Sequence, residues 1–159
     1  MENQTTTMNS QNSNKAQNAT ELLIADHKHV SALFTELEKA PSIAEKKRIV
    51  SKICTELTVH AQIEEEIFYP AVKLALKDKE LVPEARVEHA TLQTLVEQVR
   101  GIEPDGEVFD AKIEVMREYV KHHVKEEQEK MFPKATATNL NMMELGTKLS
   151  ERKAQLLSQ

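Results

Sequence analysis

The chain has 159 residues, of which 40% are hydrophobic and 4% aromatic, and it contains one cysteine, Cys54. This length suffices for one domain with a hydrophobic core, and a single cysteine excludes an internal disulfide framework. The formal net charge is −5 with acids and bases interspersed, and no apolar run approaches the roughly 20 residues of a membrane span or forms a signal peptide. We therefore expect a cytoplasmic protein with neither a nucleic acid nor a membrane as partner.

A polar tail precedes the predicted domain. Residues 1–19 contain almost no large apolar side chains, so they cannot offset the entropy cost of ordering, and we expect a disordered tail. The domain itself should cover residues 20–159. Its first helix is predicted to begin at Thr20, a residue type that caps helix N-termini, and to end before Pro41.

The second helix is predicted from a capping signal and a proline. Ser42 and Glu45 have the spacing of a capping box, so a helix should begin there and run to about Lys77. Because proline lacks a backbone N–H and clashes with the preceding turn, Pro70 should kink this helix or end its regular part.

Two more bundle helices follow. Pro83 fits the first turn of a third helix, and Gly101 fits the end of that helix. A fourth helix should run from Asp105 or Gly106 to about Met131, before the next proline. Each connection is short, which makes consecutive helices antiparallel neighbours.

A fifth helix is predicted at the C-terminal end, where Asn141 and Glu144 have cap spacing. The predicted fold is all-α: an up-down-up-down four-helix bundle with a short additional C-terminal helix. That last helix either covers an open face of the bundle or forms a contact between two copies of the chain in a homodimer.

Each of the four bundle helices carries one histidine on its apolar face. Residues spaced alternately three and four apart define the buried stripe of a bundle helix. The first two stripes are Leu23, His27, Val30, Phe34 and Leu37, then Ile53, Leu57, His60, Glu64, Ile67 and Ala71. The other two are Val82, Ala85, His89, Leu92, Val96 and Val99, then Ile113, Met116, Val120, His123, Glu127 and Lys130.

A repeat links the two halves of the chain. The segments HAQIEEEIFYP, residues 60–70, and HVKEEQEKMFP, residues 123–133, share the frame H-x3-E-x5-P. The aligned positions are His60 with His123, Glu64 with Glu127, Tyr69 with Phe132, and Pro70 with Pro133. Each half is then a helical hairpin that contributes one histidine and one His-x3-Glu pair, and the bundle should be two-fold symmetric about these side chains.

Four imidazoles and two carboxylates inside apolar layers need a cation. A buried ionised carboxylate without a partner costs several kcal/mol, and two of them repel each other. Imidazole and carboxylate are ligands for iron, zinc and manganese, and a His-x3-Glu pair lies on one helical face. Glu64 should therefore face inward and bridge two metal ions together with Glu127, whereas Glu65 and Glu66 should turn toward solvent or toward positions behind the ligands.

The segments LLIADHKHVSALFTELE, HAQIEEEIFYPAV, VEHATL and HVKEEQEKMFP together resemble hemerythrin-like proteins with the HHE cation-binding domain, which are non-haem di-iron four-helix bundles. The resemblance covers about residues 20–157. It implies two non-haem iron ions bridged by oxo or hydroxo. The implied ligands are the terminal histidines His27, His60, His89 and His123 and the bridging carboxylates Glu64 and Glu127.

The chain departs from the oxygen-carrying members of that family at two positions. Those proteins have a fifth histidine one turn after the third, where this chain has Gln93, and an aspartate where it has Glu127. The missing nitrogen ligand leaves a position for water, for a small oxidant or for another side chain of this chain. Open positions favour turnover of the oxidant over reversible oxygen storage, and the open site could equally serve as a sensor.

Several nearby residues compete for a role. His122 and Glu126 have the same spacing as His123 and Glu127, but the repeat and the buried stripe select the latter pair. His29 and His122 are predicted to be surface residues. Tyr119, one turn before His123, is a candidate to bond a bound ligand, and the remaining aromatic residues are predicted to be core or pocket-wall residues.

Three functions follow from these features. The resemblance implies a di-iron protein that binds, senses or reacts with dioxygen or a related small oxidant such as peroxide or nitric oxide. The first alternative is a catalase-like or nitric-oxide-reducing di-iron enzyme. The second is a structural or iron-storage bundle that metal only stabilises.

Overall fold

The computed structural model describes residues 16–159, and the regular structure within that range is entirely helical. The helices before the midpoint are α1 (Ala19–Glu38), α2 (Ile43–Ile63), a π-helical segment π1 (Glu64–Phe68) and α3 (Tyr69–Leu76). The others are α4 (Leu81–Arg100), α5 (Glu107–Glu126), a second π-helical segment π2 (Glu127–Met131), α6 (Phe132–Thr136) and α7 (Met142–Leu157).

These elements form five helical rods, because α2, π1 and α3 are continuous, as are α5, π2 and α6. The predicted all-α bundle with an additional C-terminal helix is confirmed. Most of the predicted tail, residues 1–15, lies outside the described residues. Within residues 16–159, no helix combines the length and the apolar character that crossing a membrane requires.

Helix N-termini are capped where the sequence offers a short polar side chain in extended backbone. Ser42 accepts a hydrogen bond from the backbone N–H of Glu45, as predicted for α2. Asn141 caps α7 in the same way, also as predicted. The prediction of Thr20 as the first cap is wrong: Asn18 caps α1, and the Thr20 hydroxyl donates a hydrogen bond to the Asn18 side chain.

The two π-helical segments occupy equivalent places in the repeat. The backbone N–H of Tyr69 donates to the carbonyl of Glu64, and that of Phe132 donates to the carbonyl of Glu127. Each segment ends just before a proline, whose ring would clash with the carbonyl four residues earlier in a regular α-helix. A wider turn moves that carbonyl away, so the helix continues beyond the proline instead of ending. The fourth helix was predicted to end near Met131, and this boundary is wrong.

The π turns also shift the buried stripe. An extra residue in a helical turn rotates everything that follows, so the spacing of three and four fails after each ligand glutamate. Lys130, predicted on the stripe, is exposed, and Ile67 and Ala71 are only half-buried. The side chains buried in their place are Phe68, Tyr69 and Val72 after π1 and Met131, Phe132 and Ala135 after π2.

Helix α7 covers the groove between α1 and the α2–π1 rod. Leu145 and Leu149 are buried there and join the core cluster that contains Leu22 and Phe68. The C-terminal helix therefore covers a face of its own bundle, which is the first of the two predicted roles. A second apolar cluster, around Phe34 and Met116, fills the opposite end of the bundle.

Gly146 should resist replacement by alanine, although alanine is ordinarily the better helix former. A Cβ at this position would overlap the carbonyl oxygen of Gln17 and lie 2.8 Å from the carbonyl carbon of Asn18. Because helix propensity alone favours alanine by about 1 kcal/mol, a net loss of unfolding free energy of about 1–3 kcal/mol would report the steric clash. Urea denaturation of Gly146→Ala measures this loss, and Thr147→Ala, at an exposed position of the same helix, should leave stability almost unchanged.

Candidate metal centre

The six predicted ligands converge between the two apolar clusters, and each is at most 8% exposed. Their side-chain ligand atoms form two groups, in each of which the three atoms lie within 4.8 Å of one another. Centre A consists of His27, His60 and Glu127, and centre B consists of Glu64, His89 and His123. The structure thus brings together every residue of the predicted set, and their binding of metal stays a prediction.

Each carboxylate lies between imidazoles of both centres. Glu64 Oε1 is 2.8 Å from Nε2 of His60 and 3.5 Å from Nε2 of His89. Glu127 Oε1 is 3.2 Å from Nε2 of His27 and 3.5 Å from Nε2 of His123. The Nε2 atoms of His27 and His60 are 3.2 Å apart, as are those of His89 and His123. Either carboxylate would therefore be within reach of a cation held by the histidines of either centre.

The outward nitrogen of every imidazole has a hydrogen-bond partner. The pairs are His60 Nδ1 with Asp26 at 3.0 Å, His123 Nδ1 with Glu88 at 2.9 Å, His89 Nδ1 with Glu65 at 3.2 Å, and His27 Nδ1 with Gln128 at 2.8 Å. Three of the partner atoms are carboxylate oxygens and the fourth is the amide oxygen of Gln128, and all of these only accept hydrogen bonds, so the partners hold a proton on each Nδ1. The Nε2 lone pair of each ring is then directed into the centre, as metal binding requires.

The four side chains that bond the outward imidazole nitrogens occupy equivalent positions in the two halves of the repeat. Only Glu65 among them was anticipated from the sequence. Asp26 and Glu88 directly precede His27 and His89, whereas Glu65 and Gln128 directly follow the two ligand glutamates. Glu65 was expected to face solvent or a position behind the ligands, and it lies behind His89. The sequence signal for the others was a polar side chain at a fixed offset in both halves.

The charges of the centre require a cation. Both oxygens of Glu64 and Oε1 of Glu127 are buried without a hydrogen-bond partner among residues 16–159. With protons held on Nδ1, the inward nitrogens and these oxygens are all acceptors, so their lone pairs repel unless a metal ion or additional protons lie between them. Four imidazole nitrogens and two carboxylates suit a pair of transition-metal ions.

The pKa values describe the metal-free state of the same groups. Burial lowers the pKa of His60, but the charges of Glu64 and Asp26 outweigh burial and hold that pKa well above its usual value. Burial and the charge of Glu127 likewise oppose each other at His123, whose pKa rises to about 9. Burial and the charge of Glu64 raise the pKa of Glu127. Protons therefore occupy the centre when metal does not.

Tyr69 is the residue of the centre that the stripe spacing did not identify. Its hydroxyl donates a hydrogen bond to Glu127 Oε2 at 2.6 Å and lies 3.2 Å from His89 Nε2 and 3.4 Å from His123 Nε2. The π1 turn is what directs this side chain inward. The repeat places Phe132 at the equivalent position, where its ring is parallel to the His27 ring and the two ring centroids are 6.1 Å apart. The histidines of centre B therefore have a protein hydroxyl beside them, whereas His27 of centre A has an aromatic ring instead.

The other candidate residues lie outside the centre. His29 and His122 are exposed, as predicted. Tyr119 is half-buried and lines an outer groove between α4 and α5 together with Glu88 and His122. Glu126 is bonded to Lys130 on the same helix, which agrees with the choice of Glu127 as the inward residue.

A small apolar cavity adjoins the four histidines. Its volume is about 20 Å³, and it reaches one turn along each bundle helix to Val30, Leu57, Leu92 and Val120. A cavity needs roughly 10–15 Å³ to hold one water molecule. The space beside the centre therefore fits a molecule of one or two heavy atoms.

Replacing Tyr69 with phenylalanine should weaken metal binding while preserving the fold. Phenylalanine already occupies the equivalent position of the repeat, and the change removes only the hydroxyl that bonds Glu127. Loss of a partner behind a metal ligand typically reduces affinity by 10–100-fold, and we expect about tenfold here. Competition between the protein and a chromophoric chelator for Co²⁺ measures the change. Tyr119→Phe, the matched control, should bind like the unmodified chain, and equal losses in both variants would remove Tyr69 from the centre.

Comparison with known proteins agrees with this geometry. A DNA nickase from Nostoc sp. (strain PCC 7120) is 29% identical over 115 residues, which are 72% of this chain and 32% of that protein. The chain thus spans about a third of the length of that relative. The uncharacterized protein Rv2633c of Mycobacterium tuberculosis (strain H37Rv) is 27% identical over 150 residues, 87% of either chain.

A solved structure shares the fold. The crystal structure of a hemerythrin HHE cation binding domain-containing protein, the Rv2633c homolog from Mycobacterium kansasii, matches with a TM-score of 0.76 at 24% identity, over 89% of this chain and 88% of that one. The family model of the hemerythrin HHE cation binding domain matches residues 18–135, a range that includes all six ligand candidates. The chain therefore belongs to the hemerythrin family of proteins with the HHE cation-binding domain.

Proposed function

We propose that the chain holds two non-haem iron ions and uses them to bind and react with a small uncharged oxidant, dioxygen or peroxide. The observation that carries the proposal is the set of unpartnered carboxylate oxygens facing four inward imidazole nitrogens. Iron is the metal that the family resemblance favours, since the ligand types alone also suit manganese and zinc. Two ferrous ions held by these residues would supply two electrons to an oxidant.

The protein residues select the size and polarity of the ligand. The cavity beside the histidines is lined by aliphatic side chains and has room for one or two heavy atoms. Charged substrates would lose their hydration there without compensating contacts. Dioxygen, peroxide and nitric oxide satisfy both limits.

The two centres should differ in whether they bind the oxidant. The Tyr69 hydroxyl is close to both histidines of centre B, so a protein oxygen already occupies space beside that centre. Phe132 offers no such atom to centre A. We therefore assign the small oxidant to centre A.

Tyr69 also favours turnover over reversible carriage. Its hydroxyl oxygen is 2.6 Å from Glu127 Oε2, and burial and the carboxylate charges keep the pKa of this phenol well above its usual value. Reduction of peroxide to two water molecules consumes two electrons, which two ferrous ions would supply, and two protons, which would come from solvent. The phenol stays protonated and would donate a hydrogen bond to the oxygen that is being reduced. Catalase-like turnover is accordingly the second form of the proposal.

The decisive experiment loads the full chain anaerobically with ferrous iron, counts iron per chain and compares visible spectra before and after air is admitted. We expect two irons per chain and a new absorption band that needs oxygen, with neither in His60→Ala. A persistent band would indicate a carrier or sensor, and a decaying band with peroxide consumption would indicate an enzyme. If two metal ions bind but the spectrum does not change when air is admitted, the proposal is overturned in favour of a metal-stabilised structural bundle.

A cytoplasmic location is part of the same proposal. Cys54 is a free thiol buried in the core, and a reducing compartment is where such a thiol is ordinarily found. Ferrous iron is also more readily retained under reducing conditions.

A further inference from the structure

The ligand partners of the two centres differ in charge, and the difference arises from α7. The ammonium of Lys153 on α7 lies 2.6 Å from Oδ1 of Asp26. The other oxygen of Asp26 is 3.0 Å from Nδ1 of His60, whose Nε2 faces Glu64. The Asp26 side chain is 7% exposed and that of Lys153 is 28% exposed. A positive charge is thus connected through one buried carboxylate to a ligand of centre A.

The equivalent carboxylate of centre B has no such partner. Glu88 Oε1 is 2.9 Å from Nδ1 of His123, and its Oε2 is 3.6 Å from the exposed His122 ring. No lysine or arginine within residues 16–159 forms a salt bridge with Glu88. Helix α7 packs mainly against α1 and the α2–π1 rod. The repeat therefore supplies the carboxylate in both halves, whereas α7 supplies an ammonium to one of them.

The hydrogen-bond partners of the other two ligand histidines also place less negative charge beside centre A than beside centre B. His27 of centre A is bonded to Gln128, an uncharged amide. His89 of centre B is bonded to Glu65, a carboxylate whose contact with Arg86 is 3.7 Å long and largely exposed to solvent. The histidines of centre A are therefore bonded to one carboxylate whose charge an ammonium neutralises. Those of centre B are bonded to two carboxylates whose negative charges are less well neutralised.

We propose that Lys153 is a positioning residue that makes the metal of centre A poorer in electron density than the metal of centre B. The inference rests on the proposed two-metal function. A carboxylate bonded to an imidazole N–H increases the basicity of the ring as a metal ligand. An ammonium bonded to that carboxylate withdraws part of the effect, so the His60 ligand stabilises an oxidised metal less well than the His123 ligand does.

This asymmetry agrees with the assignment of the oxidant to centre A. The metal with poorer donors retains its electrons more readily, and a ferrous ion is the form that binds dioxygen. Centre A is also the centre beside which the repeat places Phe132, a side chain without a ligand atom. Lys153 would thus keep the open centre reduced, and α7 would contribute to the chemistry as well as to the core.

The alternative is that Lys153 only fastens α7 to the bundle. Arg152 provides the matched control, because it is the next residue on α7 and its guanidinium bonds Glu66 at 2.7 Å. The Glu66 side chain is 39% exposed and contacts no ligand of either centre. Arg152→Met removes a salt bridge from the same helix without altering the charge behind a ligand.

The test is a spectroelectrochemical titration of the iron-loaded full chain, which should be reduced in two separate one-electron steps. In Lys153→Met, we expect the step at higher potential to shift toward the other step, while Arg152→Met leaves both in place. Asp26→Asn removes the charge on which Lys153 acts, so adding Lys153→Met to it should change the separation little. Equal shifts of both steps, or the same effect from Arg152→Met, would overturn the inference.

A second readout does not depend on iron. Stepwise Co²⁺ titration should give two dissociation constants, and Lys153→Met should lower the larger one on the order of tenfold by removing a nearby positive charge. An unchanged ratio of the two constants would overturn the inference. A chain that binds no more than one metal ion of either kind would instead refute the proposed function, so the two failures are distinguishable.

Discussion

Replacing Glu64 with alanine should abolish two-metal binding and weaken any remaining binding by at least about 100-fold. The carboxylate of Glu64 is fully buried and lies between His60 of centre A and His89 of centre B. Its removal therefore deprives both centres of a ligand. Metal per chain after loading and desalting, together with chelator competition, measures the loss.

The three consecutive glutamates supply a graded series of controls. Glu65→Ala removes the partner of His89 and should cost about tenfold in affinity. Glu66→Ala alters only an exposed salt bridge with Arg152 and should leave metal binding intact. Equal effects at all three positions would mean that the acidic run acts as a surface patch, and the inward assignment of Glu64 would be wrong.

Stability separates ligand loss from misfolding in this series. In the metal-free chain Glu64 is paired with protonated His60, so metal-free Glu64→Ala should lose part of that stabilisation but remain folded, with an unchanged helical circular dichroism spectrum. A variant that is folded without metal yet binds none identifies Glu64 as a ligand rather than a structural residue.

The buried stripe could be predicted from sequence as far as the ligand glutamates. Hydrophobic spacing of three and four placed His27 and His89 correctly among buried residues, and the repeat distinguished His123 from His122. This worked because the helices are regular up to that point, and a polar side chain on an apolar stripe is a strong local signal.

Beyond the glutamates the same rule failed, and the failure concealed a residue of the centre. The prolines indicated an irregularity, but a kink, a helix end and a π turn are equally consistent with a proline in sequence. Only the π turn places Tyr69 on the inner face. What fills the missing ligand position stays a prediction, with water, a small oxidant and a side chain as the alternatives. The presence of Tyr69 beside the ligands could not be predicted, because it depends on one extra residue in a turn.

The packing position of α7 could not be predicted from the sequence either. Its amphipathic pattern is compatible with packing on its own bundle and on a second copy, because both surfaces would be apolar. The contacts of Gly146 with the segment before α1 and of Lys153 with Asp26 decide the matter, and each joins residues more than a hundred positions apart.

Removing the metal should lower the melting temperature by about 10 °C near neutral pH. A ligand present at about 1,000 times its dissociation constant stabilises the folded state by about 4 kcal/mol. For a chain of this length, each kcal/mol corresponds to roughly 2–4 °C. Circular dichroism of the metal-free and reloaded protein measures the difference.

The difference in melting temperature between the metal-loaded and the metal-free protein should widen as the pH rises from about 6.5 to about 9. His123 has a raised pKa in the folded metal-free protein, so its protonation stabilises that state fully below the unfolded pKa and is lost as the pH rises through the folded value. The loss for His123 alone is on the order of 3 kcal/mol. Metal-bound imidazoles carry no such proton, so the loaded protein should keep its melting temperature over the same range. His122→Ala should leave this behaviour unchanged, and a metal-free melting temperature that stays constant across the interval would show that protons do not take the place of the metal.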